Sequence, residues 1–213
     1  MFLALDNTSV VRASSIFYAM PIWLALAAHF LFPGERLTPI RFLGFLMGFS
    51  GVVLTFAGRA DAVEAGNIWG DLAALIAGVS WAGVVVVSRK SRMGLARPET
   101  QIFWQLLVSA ALLCAVAPLF AGPLVREFDG YQAVIFLIQA LGVAATGYVL
   151  WFWLLGQYHA SVLASFSFLT PALSALLGWM MLGEPVTRAT PIALALLISG
   201  LVLINRRPRK LPV

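Results

Sequence analysis

The chain has 213 residues, 61% of them hydrophobic and only 11% charged, with a formal charge of +5 and a mean hydropathy of +0.93. A soluble chain carries about a quarter charged residues, so soluble, disordered and secreted classes are excluded. The basic residues lie in short clusters between apolar runs and form no stripe interleaved with aromatics, which excludes a nucleic-acid partner, while the lone Cys114 excludes an intrachain disulfide and a cysteine metal cluster.

Met1-Phe-Leu-Ala-Leu5 is too short to span a membrane and lacks the basic start of a signal peptide, so it reads as the tail of a helix. Apolar runs of about 17–24 residues follow, the length that crosses roughly 30 Å of hydrocarbon. They predict seven spans: a (10–32), b (39–57), c (68–87), d (102–121), e (133–155), f (161–182) and g (190–205). Thr38-Pro39 and Thr190-Pro191 each place a hydroxyl N-cap before a proline at the first helical position, where no amide donor is lost. Asn67 and Asp71 open span c, and Asp71 also suits the positive end of the helix dipole. Gly44, Gly48 and Gly51 give span b a small-residue packing face.

One pattern occurs twice. Ala13 to Pro21, then Gly34-Glu35-x-x-Thr38, then Gly51 in the first copy match Ala164 to Pro171, Gly183-Glu184-x-x-Thr187 and Gly200 in the second. Thr follows Glu by three residues and Gly follows it by sixteen in both copies. Such self-similarity is architectural information first, and in an apolar chain it points to a duplicated carrier. Ten of the fourteen basic residues collect on one side, in the a–b and c–d loops and the C-terminus, which makes the C-terminus cytoplasmic. Spans a and f are five helices apart, so they cross in opposite directions and the copies are inverted. An offset of five helices implies ten in all, about three of which would precede the spans present.

These residues resemble the EamA family of the drug/metabolite transporter superfamily along nearly the whole chain. The resemblance rests on Pro21 and Pro171, the Gly34-Glu35 and Gly183-Glu184 turns, and the Gly51 and Gly200 endings. Gly70-Asp71, Ser80-Trp81-Ala82 and Arg89 add to it, as do Gly147-Tyr148, Trp151 and Ala160-Ser161. It implies an all-α polytopic helix bundle of ten helices with inverted internal repeats, of which about seven are present. Residues 1–60 would be the end of the first repeat, 66–206 the complete second repeat and 207–213 a basic cytoplasmic tail. The implied activity is secondary-active export or uptake of small metabolites, amino acids or drug-like amphipathic compounds by alternating access. Lipid and the substrate would be the partners, no cofactor or metal is expected, the location is the inner or plasma membrane, and a homodimer stays open.

The substrate-cavity candidates are Tyr18, Pro21, Trp81, Trp104, Gln105, Tyr148, Trp151, Ser165, Ser167 and Pro171. Prolines inside a span kink it and free a carbonyl, which a cavity tolerates. Amides and hydroxyls at membrane depth have no partner in lipid and so face protein or a cavity. The aromatic residues have an alternative place in an interfacial belt. His29 and Arg12 are candidates for a proton, ion or anion role, with snorkelling to the surface as the alternative for Arg12. Glu35 and Glu184 are expected at structural turns, each bonded to the free amides of the next helix. No convergent set of reactive groups exists, so no enzyme is expected. Competing readings are a non-transporting, truncated or partner-dependent membrane protein and a seven-helix receptor, the latter opposed by the internal repeat.

Overall fold

The computed structural model describes residues 7–8, 10–57, 67–117, 129–182 and 189–206. Among these residues every regular element is helical: α1 (Val10–Phe17), α2 (Met20–Leu31), α3 (Pro39–Ala57), α4 (Ile68–Lys90), α5 (Pro98–Val116), α6 (Gly130–Leu137), α7 (Thr146–Gln157), α8 (Ala160–Ser165), α9 (Leu169–Leu182) and α10 (Ala189–Asn205). Among the described residues six stretches are long and apolar enough to cross a membrane, from Arg12–Leu31 through Ala160–Met181, and Ala189–Asn205 is a shorter apolar helix of 17 residues. Apolar side chains such as Phe30, Ile76, Val87 and Met181 point outward. Water would penalise so much exposed apolar surface, whereas lipid accommodates it while the helices satisfy their own backbone. The protein is an all-α polytopic membrane helix bundle.

Three spans differ from the continuous helices expected. Span a is divided into α1 and α2 at Tyr18-Ala19, and span f into α8 and α9 by a 3-10 turn at Phe166–Phe168. Span e runs from α6 through a π-helical segment, Ile138–Ala145, into α7. Span d begins earlier than expected, because Pro98 supplies a first helical residue preset for the turn. Thr38 does cap α3, its Oγ1 accepting the Arg41 amide at 3.4 Å, and Asn67 caps α4 through the Trp69 amide at 3.2 Å. The parallel expectation for Thr190 fails, since α10 already begins at Ala189 and Thr190 lies inside its first turn.

The chain forms two compact units. One comprises Met1–Val87 with His159–Val213, the other Ser88–Tyr158. In the first, a core of Ala25, Phe45, Val52, Phe168, Ala172, Leu197 and Ile204 gathers around the α3–α10 pair. Glycine permits that pairing: a Cβ at Gly51 would lie 2.8 Å from the Ala193 carbonyl oxygen, and one at Gly200 only 2.6 Å from that of Gly44. As α3 advances from Gly44 to Gly51, its neighbours retreat from Gly200 to Ala193, so the two helices are antiparallel. The two contacts exchange under a shift of 149 positions, the same shift that carries Glu35 to Glu184. Gly48 admits the ring of Phe168, whose Cδ2 would be 2.6 Å from an added Cβ.

In the second unit α5 and α7 pack on each other, burying Ile102, Phe152 and Leu155. The π-helical segment joins α6 to α7, and the Thr146 hydroxyl donates to the Gly142 carbonyl at the junction. Such bonding back to the preceding turn perturbs a helix locally.

Candidate functional site

In the first unit the two divided spans supply the polar groups. At the α1–α2 break the chain tightens: the Ala19 amide bonds Ile16 at 3.1 Å, and Ile22 bonds Ala19 at 2.9 Å. Pro21 is the second residue of α2 and Pro171 the third of α9. Both lie within stretches long and apolar enough to span, Arg12–Leu31 and Ala160–Met181. The residues four before them are Phe17, where α1 ends, and Ser167, inside the 3-10 turn, which is where a proline removes the helical bond and its ring crowds the carbonyl. Both prolines are buried.

Tyr18, in the first break, has its side chain beside that of Thr170, in the first turn of α9. Its ring lies 5.9 Å from Phe56 and 6.1 Å from Phe17. Ser167 is half-buried within the 3-10 turn, and Trp81 is half-buried on α4. Ser165 is fully buried and donates to the Val162 carbonyl at 2.7 Å, so its hydroxyl serves the bend. Thus Tyr18, Pro21, Ser167, Thr170 and Pro171 share the two breaks, and Thr170 was not among the residues singled out by sequence.

The remaining cavity candidates lie in the second unit. Trp104 and Tyr148 are exposed, Gln105 and Trp151 half-buried, on α5 and α7. An apolar groove of about 590 Å³ lies between the start of α5 and the π-helical segment with α7, lined by Leu141, Thr146, Val149, Leu150 and Trp153, with Glu99 at one end. None of the four expected residues lines it.

Charged groups are engaged in fixing helix ends. Glu35 follows Gly34, whose φ of +92° is a left-handed value that suits glycine. The Glu35 carboxylate caps α8, a helix far along the chain from its own turn. It is 3% exposed and accepts the Ala160 amide at 3.0 Å, the Ser161 amide at 3.1 Å and the Ser161 hydroxyl at 2.9 Å, with His159 Nδ1 at 3.7 Å. The physical reason is need: the residue before α8 is His159, whose side chain makes no cap bond, so the free amides take a carboxylate from another turn. Glu184 lies outside the described residues. His29 closes the same turn as Glu35, its Nδ1 accepting the Leu37 amide at 3.0 Å.

Arg12 is ion-paired with Asp71, in the first turn of α4, and Thr8 donates to the other Asp71 oxygen at 3.1 Å. The Asn67 amide donates to the Asn7 carbonyl at 2.9 Å, and Gly70 lets residues 7 and 8 approach closely. These bonds fasten the start of α1 to that of α4. Among the described residues no group of three His, Cys, Asp or Glu side chains could hold a metal.

Comparison with known proteins places this arrangement. The EamA-like transporter family matches residues 1–57 and 68–206. The uncharacterized transporter YoaV of Bacillus subtilis is 27% identical over 90% of this chain and 65% of its own length. The aromatic amino acid exporter YddG of Ancylobacter novellus is 29% identical over 98% of this chain and 71% of its own. A riboflavin transporter of Rhizobium johnstonii is 27% identical over 92% and 61% respectively. A solved crystal structure superposes with a TM-score of 0.77 at 29% identity, covering 94% of this chain and 70% of that one. The chain thus spans about two thirds of the length of these relatives.

Proposed function

The chain belongs to the EamA-like transporter family, and from that premise we propose that it works in a secondary carrier for small amphipathic metabolites, aromatic amino acids first among them. The observation that carries this reading is the meeting of two divided spans at Tyr18 and Thr170, beside the antiparallel pair α3 and α10. Carriers built from inverted repeats place their substrate where discontinuous helices meet near the midplane. Residues 1–60 and 66–206 are then parts of two inverted units, and the exchange of contacts under one sequence shift supports that division. Tyr18 offers an aromatic face and a hydroxyl, Ser167 and Thr170 offer hydroxyls, and the two prolines give bends that accommodate a ligand between half-helices. Substrates of mixed aromatic and polar character fit this set. The names borne by the exporter and the riboflavin transporter agree with it.

The fourteen basic residues, ten of them on one side by the predicted spans, orient the C-terminus to the cytoplasm of a cell or inner membrane. The reading is of a carrier rather than an enzyme, because the ionisable groups described at the helix ends serve as caps and ion pairs.

The test is flux in proteoliposomes reconstituted with the protein encoded by its whole reading frame, against a panel of aromatic amino acids, flavins and inorganic ions, with and without a pH gradient. Saturable flux of an aromatic substrate that falls at least about tenfold in Tyr18→Leu and Thr170→Val, with membrane insertion unchanged, is expected from loss of oriented polar contacts. Equal flux in the variants would remove the divided spans from the pathway. No flux of any substrate would favour the partner-dependent reading.

A further inference from the structure

A second polar space lies wholly within the Ser88–Tyr158 unit, apart from the divided spans. It is a niche of about 200 Å³ lined by Ser88, Arg89, Gly94, Gln101, Phe152, Leu155 and Gly156. The end of α4 supplies Ser88 and Arg89, a 3-10 turn at Arg92–Leu95 folds back beneath them, and α5 and α7 close the sides. Gly94 makes the fold-back possible, since a Cβ there would sit 2.9 Å from the Ser88 carbonyl oxygen and 3.0 Å from that of Arg89. Gln101 Nε2 donates to the Ala96 carbonyl at 3.0 Å, fastening α5 to the same turn. Phe152 and Leu155 are buried beneath the polar groups.

We propose that this niche seats a phosphate group, supplied by the headgroup of an anionic phospholipid. Its lining offers a guanidinium, a carboxamide and a hydroxyl as donors and contains no carboxylate. Guanidinium forks match phosphate geometry, and basic niches between spans are the usual seats of anionic headgroups. Lys90, Arg92 and Arg97 on the adjoining turn add positive charge without lining the niche. Its volume is below the roughly 300–1,000 Å³ of sites for drug-sized ligands and suits a single headgroup. Position favours a lipid source: α4 has 23 residues, and a helix of that length reaches about 35 Å, beyond the roughly 30 Å hydrocarbon core. Its last turn, with Ser88 and Arg89, therefore emerges among the headgroups. Gly156 opens the wall, because nothing lies within 4 Å of where its Cβ would be.

The test measures lipid retention by the full chain in detergent, using native mass spectrometry after exposure to equal amounts of phosphatidylglycerol and phosphatidylcholine. Wild type should retain phosphatidylglycerol about five- to tenfold over phosphatidylcholine, as one well-oriented guanidinium–phosphate contact provides. Arg89→Gln removes the charge. Gly156→Leu fills the niche at unchanged charge, in a helix position with free space around it. Both should abolish the preference, and Arg89→Lys should weaken it by loss of the fork alone. Arg92→Gln, which removes an equal charge outside the niche, should leave the preference within about twofold. Inorganic phosphate that competes with the lipid identifies the shared phosphate chemistry. Inorganic phosphate bound with the same variant pattern, and no lipid preference, would retain the site but transfer it to a soluble anion, overturning the lipid source. Absence of both preferences, or equal effects of Arg92→Gln and Arg89→Gln with none from Gly156→Leu, would overturn the niche in favour of a diffuse basic surface.

Discussion

Replacing Glu35 with alanine should destabilise the protein far more than a change in a loop ordinarily does. The carboxylate is 3% exposed and receives the Ala160 amide, the Ser161 amide and the Ser161 hydroxyl, all within 3.1 Å. Loss of a helix cap alone costs about 0.5–2 kcal/mol, and each buried donor left without an acceptor costs about 1–3 kcal/mol. Allowing for relaxation around the shortened side chain, Glu35→Ala should cost about 3 kcal/mol, equivalent to a fall in Tm of about 6–12 °C for a chain of this size. Glu35→Gln keeps the shape but turns one acceptor into a donor facing other donors, so it should fall between wild type and alanine. Ser161→Ala removes one of the three bonds, and its effect should largely vanish in a Glu35→Ala background, because the two residues share one network. His159 is 56% exposed and its Nδ1 lies 3.7 Å from the carboxylate, beyond hydrogen-bond distance, so His159→Ala should lower Tm by less than about 2 °C. Thermal unfolding in detergent followed by tryptophan fluorescence measures the series. A Tm for Glu35→Ala within 2 °C of wild type would refute the capping argument.

Gly200→Leu should disrupt the α3–α10 pair by overpacking, costing at least about 1–3 kcal/mol, because its Cβ would begin 2.6 Å from a backbone oxygen; protease resistance in detergent reads the loss. Asp71→Asn should release Arg12 and Thr8 together, and a double-mutant cycle with Arg12→Gln should give a coupling of about 0.5–3 kcal/mol. Additive effects would show that the ion pair contributes nothing. On a Cys114→Ser background, cysteine at Ala96 should be labelled from the cytoplasm and cysteine at Tyr131 only from outside. Labelling of both from one side would overturn the predicted orientation.

What the sequence made legible was local. The glycine face of α3 and the Thr38 and Asn67 caps depend on spacing within a turn or two, and the structure places them as expected. The prolines announced bends but not their form: the residues four before them are Phe17, where α1 ends, and Ser167, inside the 3-10 turn, and whether a helix loosened there breaks or tightens depends on the elements packed around it. The π-helical segment at Ile138–Ala145 is as apolar as an ordinary helix and carries no pattern of its own. Glu35 was recognised as a turn residue, but its partners lie 125 and 126 positions away, beyond the reach of spacing. A signal was present in the opening of span f, where His159 stands in place of a hydroxyl or carboxylate cap. With the C-terminus cytoplasmic, spans a and c both begin on the opposite side, so the pairing of Arg12 with Asp71 follows from topology joined to charge, once the two spans are known to touch.

The distance between Glu35 and its partners also has a meaning in time. Chains emerge from the ribosome at about 5–20 residues per second, so the carboxylate exists for roughly 6–25 s before the amides it receives, 125 residues later, have been made. Over a similar interval the glycine face of α3 waits for α10, which begins 132 residues after α3 ends. During that wait the carboxylate lacks the three donors of Ala160 and Ser161, and burying it in hydrocarbon without them is strongly disfavoured. Its place at a turn between spans lets it remain in the headgroup layer, hydrated, until α8 arrives. The Gly34-Glu35 turn thus serves synthesis as well as the finished fold: it parks a charge at the surface that becomes a buried cap only when the second copy has followed the first into the bilayer.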